Sequence, residues 1–311
     1  MVPRLELDEW LRQQAVDSGV RFLSGFHSQA ALMKNGRVTG LQGLLNGDVQ
    51  TIHARVTIAA TGAAVGMPRA LGIIERLPPM VLAVRAYFEG VEGLEAEFEF
   101  HFRREIAPGY AWIFPAPNGK ANVGVGLFPY DDRPKGKRSP SRGPRRAAKQ
   151  ALYEFLGQPD MQRRFRNARM VGRLEAYPLR TDYPDSPVSG AGFLVTGEAA
   201  GLVSPVTGEG IDLAMESGEM AAAVVGDALR RGDVSARGLQ PYDRRMRKRF
   251  GRWFRGTRLI QPVVMKPRAL NTLIAKSRRW PGLGKTVVGI LLGTVSPWLA
   301  FSPLTWGYLL F

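Results

Sequence analysis

The sequence predicts a mixed α/β (α+β) fold: a parallel strand, turn and helix unit, an antiparallel sheet inserted ahead of it, and a helical C-terminal region. Three observations carry this. Phe193-Leu194-Val195 is a short apolar run with the texture of a buried parallel strand, and it feeds a glycine-rich turn and a long helix. Between Met80 and Tyr130 strand-like runs alternate with Gly, Pro and Asn turns, as antiparallel strands do. From Leu239 onward apolar residues recur at helical spacing among basic ones. At 311 residues the chain can bury a good core in one large or two modest domains, and its 45% hydrophobic content is that of a globular protein.

The elements follow in order. Residues 4–18 read as an amphipathic helix with Leu7, Trp10, Leu11 and Ala15 on one face, stopped by Gly19. Val20 to Leu23 reads as a strand. Residues 27–33 and 37–45 form a hairpin about Lys34-Asn35-Gly36-Arg37, an Asn-Gly turn. Val49 to His53 continues the strand pattern. Arg55 to Ala60 is a second parallel-type strand that ends in Ala60-Thr61-Gly62-Ala63. The inserted sheet draws on Val81 to Phe88, Glu97 to Phe102, Tyr110 to Pro115 and Ala121 to Phe128. Glu97 to Phe102 alternates strictly, as a strand with one wet face does. Arg145 to Leu156 and Asp160 to Phe165 read as helices, and Val171 to Pro178 as the strand that returns the chain. After Val195 come Gly197-Glu198-Ala199-Ala200-Gly201, Ser204-Pro205 and Gly208-Glu209-Gly210-Ile211. A helix then runs to about Arg231, with Leu213, Ala214, Ser217, Gly218, Ala221 and Ala222 as its small-residue face. Leu239 to Leu259 is a basic helix that turns Phe250, Trp253 and Phe254 inward. Thr286 to Phe311 carries no charge and could span a bilayer by length. Gly289, Gly293, Pro297, Pro303 and Gly307 break it, so two short apolar helices are expected, with Trp298, Trp306 and Tyr308 of interfacial type. The expected division is 1–76, 77–170 (the antiparallel sheet), 171–232 and 233–311.

Composition excludes several chemistries. There is no Cys, hence no disulfide, thiolate metal site or Cys nucleophile. His27, His53 and His101 are scattered, so no metal site is expected. The net charge of +16 gathers in Arg133 to Lys149 and Arg244 to Arg258. The first stretch reads as a solvated linker or as a contact for anionic lipid or phosphate. No recognition motif accompanies the second, so no nucleic-acid partner is expected. The N-terminus is charged and amphipathic, unlike a signal peptide, which implies a cytoplasmic location. Basic helices before an apolar tail suit a peripheral place on an anionic membrane surface at the inner face of the membrane.

A strand, a tight glycine turn and a helix N-terminus present backbone N–H groups to an anionic or electron-rich ligand. From spacing alone, such a site and the plain packing of helix on sheet are equal readings. The wording of the segment goes further. It resembles the second flavin-binding segment of the geranylgeranyl reductase family, within the para-hydroxybenzoate-hydroxylase-like class of FAD oxidoreductases. That class carries Gly-Asp-Ala-Ala-Gly, a following Pro, then Gly-x-Gly-Ile or Gly-x-Gly-Met opening a long helix. The resemblance implies a FAD site formed by Gly197, Glu198, Ala199, Gly201, Pro205, Gly208, Glu209, Gly210 and Ile211. Glu198 would hold the ribityl hydroxyls, one methylene longer than the family's Asp. The helix N-terminus would face the flavin pyrimidine. Arg4 matches an Arg that contacts the cofactor just before a helix; read alone it is an ordinary surface charge. Ala60-Thr61-Gly62-Ala63 matches the family's Ala-Asp-Gly-Ala with Thr61 for Asp, and brings Gly62 into the site.

The run Tyr110-Ala111-Trp112-Ile113-Phe114-Pro115 resembles the family motif that lines a lipid tunnel near the flavin. Period two puts Tyr110, Trp112 and Phe114 on one face. Apart from the resemblance, an aromatic core stripe explains them as well. Gly124 and Gly126 leave room on the sheet for close approach. The resemblance implies a flavin-dependent oxidoreductase that reduces carbon–carbon double bonds of a prenyl (geranylgeranyl) chain. Tyr110 and Trp112 are its catalytic candidates, with Tyr110 or a water as proton donor, a prenyl lipid as substrate, and NADPH or a small carrier as electron source. The sequence holds no Gly-x-Gly-x-x-Gly loop. Within the resemblance that means an incomplete Rossmann-like FAD domain, an exposed sheet edge and weak cofactor affinity. A FAD-dependent monooxygenase or halogenase, and a truncated, non-catalytic lipid- or membrane-binding relative, are the alternatives.

Overall fold

The computed structural model describes residues 2–74, 80–128 and 144–302. The chain opens with helix α1 (Arg4–Asp17), strands β1 (Phe26–Lys34), β2 (Arg37–Leu45), β3 (Asp48–His53) and β4 (Thr57–Ala59), and a short helix α2 (Gly66–Ala70). Next come β5 (Met80–Glu89), β6 (Glu99–His101), β7 (Gly109–Ala116), β8 (Lys120–Leu127), helices α3 (Pro144–Leu156) and α4 (Pro159–Arg164), and β9 (Arg169–Arg180). The last part holds β10 (Ser189–Gly190), β11 (Phe193–Val195), α5 (Ile211–Arg231), α6 (Ala236–Met246), α7 (Arg252–Val264), α8 (Pro267–Arg279) and α9 (Pro281–Leu291). A π-helical turn, Arg247–Gly251, joins α6 to α7, and a 3-10 turn, Pro297–Phe301, follows α9. The fold is mixed α/β, with two compact units: Met1–Ser24 with Leu82–Pro178, and Gly25–Val81 with Leu179–Phe311.

In the first unit the strands lie in the order β6-β7-β8-β5-β9. Antiparallel registers align Val84 with Val125, Ala86 with Val123, and Ile113 with Val123, so one face is small and aliphatic. Ala148, Ala151, Leu152 and Phe155 of α3 join these residues in one buried core. The alternation is present from Phe98 to Phe102, with Glu97 exposed, but with the opposite polarity to a wet acidic face. Phe98, Phe100 and Phe102 are exposed, at 58%, 52% and 37%. Glu99 is turned inward and takes Arg164 at 2.6 and 2.8 Å. A matched charge can sit inside; the alternation itself does not say which parity does. The expected strand at Val20 to Leu23 is absent. No strand pairs with this segment among the described residues, Val20 and Phe22 stay 55% and 54% exposed, and the Arg12 guanidinium lies over the Phe22 ring at 5.1 Å. Helix α1 forms as expected, yet it buries no residue fully and leaves Trp10 58% exposed.

In the second unit β1, β2 and β3 form an antiparallel sheet. Its turns fall at Asn35-Gly36 (φ 50° and 72°) and Asn46-Gly47 (φ 53° and 96°), where only such residues tolerate a left-handed backbone. The second sheet has the order β10-β11-β4. β11 and β4 pair in parallel, Leu194 opposite Ile58, which realises the two parallel strands read from sequence, each only three residues long. The sheet ends on β4, with Ile58 42% exposed. α5 buries Leu213, Ser217, Ala221, Val224 and Ala228. Ala222, assigned by sequence to the same face, is exposed, since one residue further turns it about 100° away. Phe250 and Phe254 are buried as expected and Trp253 is half-buried. Two short elements do form in the apolar C-terminal stretch, α9 and the 3-10 turn, with α9 starting earlier than Thr286. Among the described residues no helix is long and apolar enough to cross a membrane. The basic stretch from Arg133 to Arg142, and Pro303, Trp306, Gly307 and Tyr308, lie outside the described residues.

Candidate functional site

β11 ends at Val195 and the chain turns at once. Gly197 adopts φ 60°, Gly197–Ala200 form a 3-10 turn, and Gly201 follows at φ 80°. A Cβ on Gly197 would lie 3.0 Å from the Cβ of Ala214. One on Gly201 would lie 2.8 Å from Asp182 Oδ1 and from the Tyr183 amide. Backbone handedness and close approach therefore both demand glycine. Ser217 of α5 fastens the turn. Its Oγ accepts the Gly197 N–H at 3.0 Å, lies 2.7 Å from Thr196 Oγ1, and donates to the Ala214 carbonyl at 3.0 Å.

Below the turn lies Arg180, with no exposed surface. Its Nε and Nη2 donate to the two oxygens of Asp182 at 3.0 and 2.7 Å, and its Nη1 donates to the Ala199 carbonyl. The Arg180 backbone N–H donates to Glu198 Oε1 at 3.2 Å. Parallel pairing of β4 with β11 brings the Ala60–Ala63 turn alongside. A Cβ on Gly62, itself at φ 59°, would lie 3.8 Å from Glu198 Oε2. Thr61 closes its own turn by donating Oγ1 to the Ala64 carbonyl at 2.9 Å.

From Ser204 to Glu209 the loop is held by its own backbone. The Ser204 N–H donates to the Glu209 carbonyl at 2.7 Å, the Gly208 N–H to the Ser204 carbonyl at 2.9 Å, and Ser204 Oγ accepts the Thr207 N–H at 3.1 Å. Pro205 is buried and Gly208 has φ 74°. The loop delivers Gly210 and Ile211 to the start of α5, a helix of 21 residues whose N-terminus has no side-chain cap. Its first-turn amides thus keep their partial positive charge for something else. Partial burial, and then the neighbouring Asp212, push the Glu209 carboxyl above its ordinary range. A cavity of about 50 Å³ lined in part by Ser204, Glu209, Asp212, Arg249 and Trp253 holds a water or two and is far too small for a dinucleotide.

The open face of the first unit's sheet is aromatic. Register sets Phe100 opposite Trp112, Trp112 opposite Gly124, and Gly124 opposite Arg85. A Cβ on Gly124 would lie 2.2 Å from Trp112 Cζ2, so the indole lies over a floor that only glycine leaves clear. Trp112 Nε1 donates to Asn122 Oδ1 at 3.0 Å. The rings of Tyr110 and Trp112, and of Trp112 and Phe114, are 5.9 and 6.2 Å apart, as period two requires. Phe100 adds contacts to Tyr110 at 5.7 Å and Phe114 at 5.1 Å, and Phe98 to Phe114 at 4.8 Å. At the β5 side the apolar field ends in an ion pair between Arg85 and Glu175, 2.7 Å apart.

The structure thus brings Gly62, Gly197, Glu198, Ala199 and Gly201 together, and sets Pro205, Gly208, Glu209, Gly210 and Ile211 in the loop that opens α5. Arg4, Tyr110 and Trp112 belong to the first unit. Arg4 is exposed and pairs with Asp8 at 3.0 Å along α1. Sequence reasoning missed Arg180 and Asp182, which look like an ordinary charged strand end. It also missed that Phe98, Phe100 and Phe102 extend the aromatic face, although their alternation was in view.

Residues 80–141 match the family model described as the geranylgeranyl reductase catalytic domain. The chain is similar to digeranylgeranylglycerophospholipid reductase 2 of Methanopyrus kandleri, 30% identical over 267 residues, covering 82% of this chain and 62% of that one. It is also similar to digeranylgeranylglycerophospholipid reductase 1 of the same organism, 30% identical over 274 residues, covering 85% and 68%. The chain spans about three fifths of the length of the first of these curated relatives. Among solved structures, a geranylgeranyl bacteriochlorophyll reductase-like protein of Thermoplasma acidophilum shares the fold with a TM-score of 0.76 at 21% identity, over 92% of this chain and 74% of that one. The flavin-dependent brominase Bmp2 does so with a TM-score of 0.62 at 19% identity, over 99% and 69%.

Proposed function

Because this chain belongs to the geranylgeranyl reductase family, we propose that it holds FAD along Gly197–Ile211 and acts in the reduction of carbon–carbon double bonds in the prenyl chains of a glycerophospholipid. One observation carries the reading. The family match at residues 80–141 falls on the strands whose Tyr110, Trp112 and Phe114 rings make a continuous apolar face. An isolated alkene offers no polar handle, so an aromatic wall is what its recognition needs.

The residues present fit the cofactor. Gly62, Gly197 and Gly201 have left-handed backbone, which leaves both turns bare of side chains, and α5 opens without a side-chain cap. Bound FAD supplies the hydride that an unactivated alkene requires. The Glu198 carboxylate, steadied by the Arg180 N–H, accepts the ribityl hydroxyls. The uncapped N-terminus of α5, equivalent to roughly half a positive charge, favours negative charge at the flavin pyrimidine. Ala199, Pro205, Gly208, Glu209, Gly210 and Ile211 complete that wall. Arg4 is a further cofactor contact in this reading. Trp112, its indole fixed by Asn122 and the Gly124 floor, orients the prenyl chain, and the Tyr110 hydroxyl delivers the proton to the second alkene carbon. NADPH is the electron source, and the lipid is met at an anionic membrane surface on the cytoplasmic side.

The test is direct. The purified chain is examined for flavin absorbance, then incubated without oxygen with a reductant and a geranylgeranylated phospholipid. Two hydrogens gained per reduced bond, read by mass spectrometry and lost in Glu198→Ala, is the expected result. Protein that stays colourless and cannot be reconstituted with FAD overturns the reading. The likeness to halogenases favours a second one, oxygen-dependent chemistry on the same cofactor. Oxygen consumption with no reduction of lipid would select it.

A further inference from the structure

We infer that the C-terminal helices of the second unit lie flat on an anionic lipid surface, with cations at its headgroups and a cluster of apolar side chains inserted between them. This deepens the reading above by naming the face that meets the membrane, and rests on it only in the choice of a lipid partner.

From Arg244 to Phe311 the chain carries fourteen Lys and Arg and no Asp or Glu, while the net charge of the whole chain is +16. The rest of the protein is therefore almost neutral. Among the described residues, three of the fourteen have a carboxylate within 4 Å: Arg247 with Asp243, Arg249 with Glu216, and Arg258 with Asp185. All but Arg258 and Lys276 are exposed. The field is not cancelled within its own helices and extends into solvent.

The same helices leave apolar groups in the open. Val288 is 52% exposed and Leu292, the C-cap of α9, 62%, and with Lys285 they fall at i, i+3 and i+7 along one side of the helix and its cap. In the following 3-10 turn Trp298, Leu299 and Phe301 are exposed at 38%, 44% and 48%. These are not loose ends. Trp298 donates Nε1 to the Arg252 carbonyl at 3.1 Å, its ring lies 5.9 Å from that of Phe301, and Pro297 seats against Gly256 of α7. A fixed aromatic and aliphatic cluster among unmatched cations has the composition of an interfacial helix surface. Nucleic acid would use the cations and leave Leu292 and Phe301 in water; a lipid layer uses both. The exposed apolar residues lie along the side of α9 and in the 3-10 turn, so the docking is side-on.

The full chain is floated with vesicles of phosphatidylcholine alone and of phosphatidylcholine with phosphatidylglycerol. Partitioning into the anionic vesicles is expected, weakening as ionic strength rises. The triple variant Arg278→Glu, Arg279→Glu, Lys285→Glu lowers it about a hundred-fold, from a factor of about five per cation removed. Lipids brominated on their acyl chains quench the tryptophan fluorescence, and Val288→Ser with Leu292→Ser reduces that quenching while anionic attachment persists. All five positions are exposed, and circular dichroism confirms that the variants fold. Failure to float with anionic vesicles, absence of quenching, or release from vesicles by competing RNA overturns the inference. Flavin content in the same preparation separates the two proposals: yellow protein that does not float removes the docking alone, and colourless protein that floats removes the flavin reading alone.

Discussion

Replacing Arg180 with Met tests whether one buried cation holds the glycine turn in place. Arg180 is fully buried and the Asp182 side chain is 11% exposed, so the pair is desolvated and its hydrogen bonds are made within the protein. Methionine keeps most of the volume but leaves the Asp182 carboxylate without its fork and the Ala199 carbonyl without its donor. Removing one partner of such a pair costs about 3–5 kcal/mol. Against a native stability of about 5–15 kcal/mol, that is a large share of the margin. At roughly 2–4 °C per kcal/mol for a domain of this size, melting falls by about 6–20 °C. Urea and thermal unfolding followed by circular dichroism measure it. The double variant Arg180→Met, Asp182→Leu removes the orphaned charge and is expected to recover most of the loss. A single variant within about 1 kcal/mol of the parent, or a double variant no better than the single, refutes the argument.

Three further outcomes follow from the geometry. Gly124→Ala drives a methyl into the Trp112 ring and costs about 1–3 kcal/mol, with a shift in tryptophan fluorescence; an unchanged spectrum and melting curve would mean the indole does not lie there. Ser217→Ala leaves the buried Gly197 N–H without its acceptor, at about 1–3 kcal/mol, whereas Ser217→Thr keeps a hydroxyl and is expected to lose less in urea unfolding. The hydrogen bond from Arg164, more than any other influence, holds the Glu99 carboxyl below its ordinary value, so its contribution to stability is complete above about pH 4.3 and is lost as pH falls through the lowered folded value. Urea midpoints taken on either side of that range should converge between the parent and Arg164→Met at the acid end; a constant gap argues against the pair. His101, whose pKa burial lowers despite Glu99, also loses stability on acidification, so both proteins are compared in a His101→Asn background.

What was legible in the sequence was what short-range physics decides. Asn35-Gly36 announced a hairpin because few residues accept its backbone, and α5 announced itself through a small-residue face. The aromatic face of β7 followed from period two alone. Other features depend on partners far along the chain. Val20 to Leu23 has strand composition, but a strand exists only beside another. The parity of β6 was decided by Arg164, 65 residues away from Glu99. Arg180 lies 18 residues before Glu198, and nothing local distinguishes it from the exposed arginines of the same strand. Glu198 itself could be placed next to Gly62 only once β4 and β11 were known to pair.

The π-helical turn at Arg247–Gly251 sets the phase of everything after it. The buried residues Tyr242, Met246, Phe250 and Phe254 follow one another in strides of four. In a regular α-helix each such stride overshoots a full turn by about 40°, so the row would wind off the core within three steps. The wider turn absorbs the excess and keeps the row straight. Inserting a single residue there would rotate α7 by about 100° against α6, lifting Phe254 out of the core and driving arginines toward it, whereas removing one would let the turn close to regular α-helix with Phe254 still in phase. The stretch should therefore tolerate substitution of its outward cations far better than any insertion.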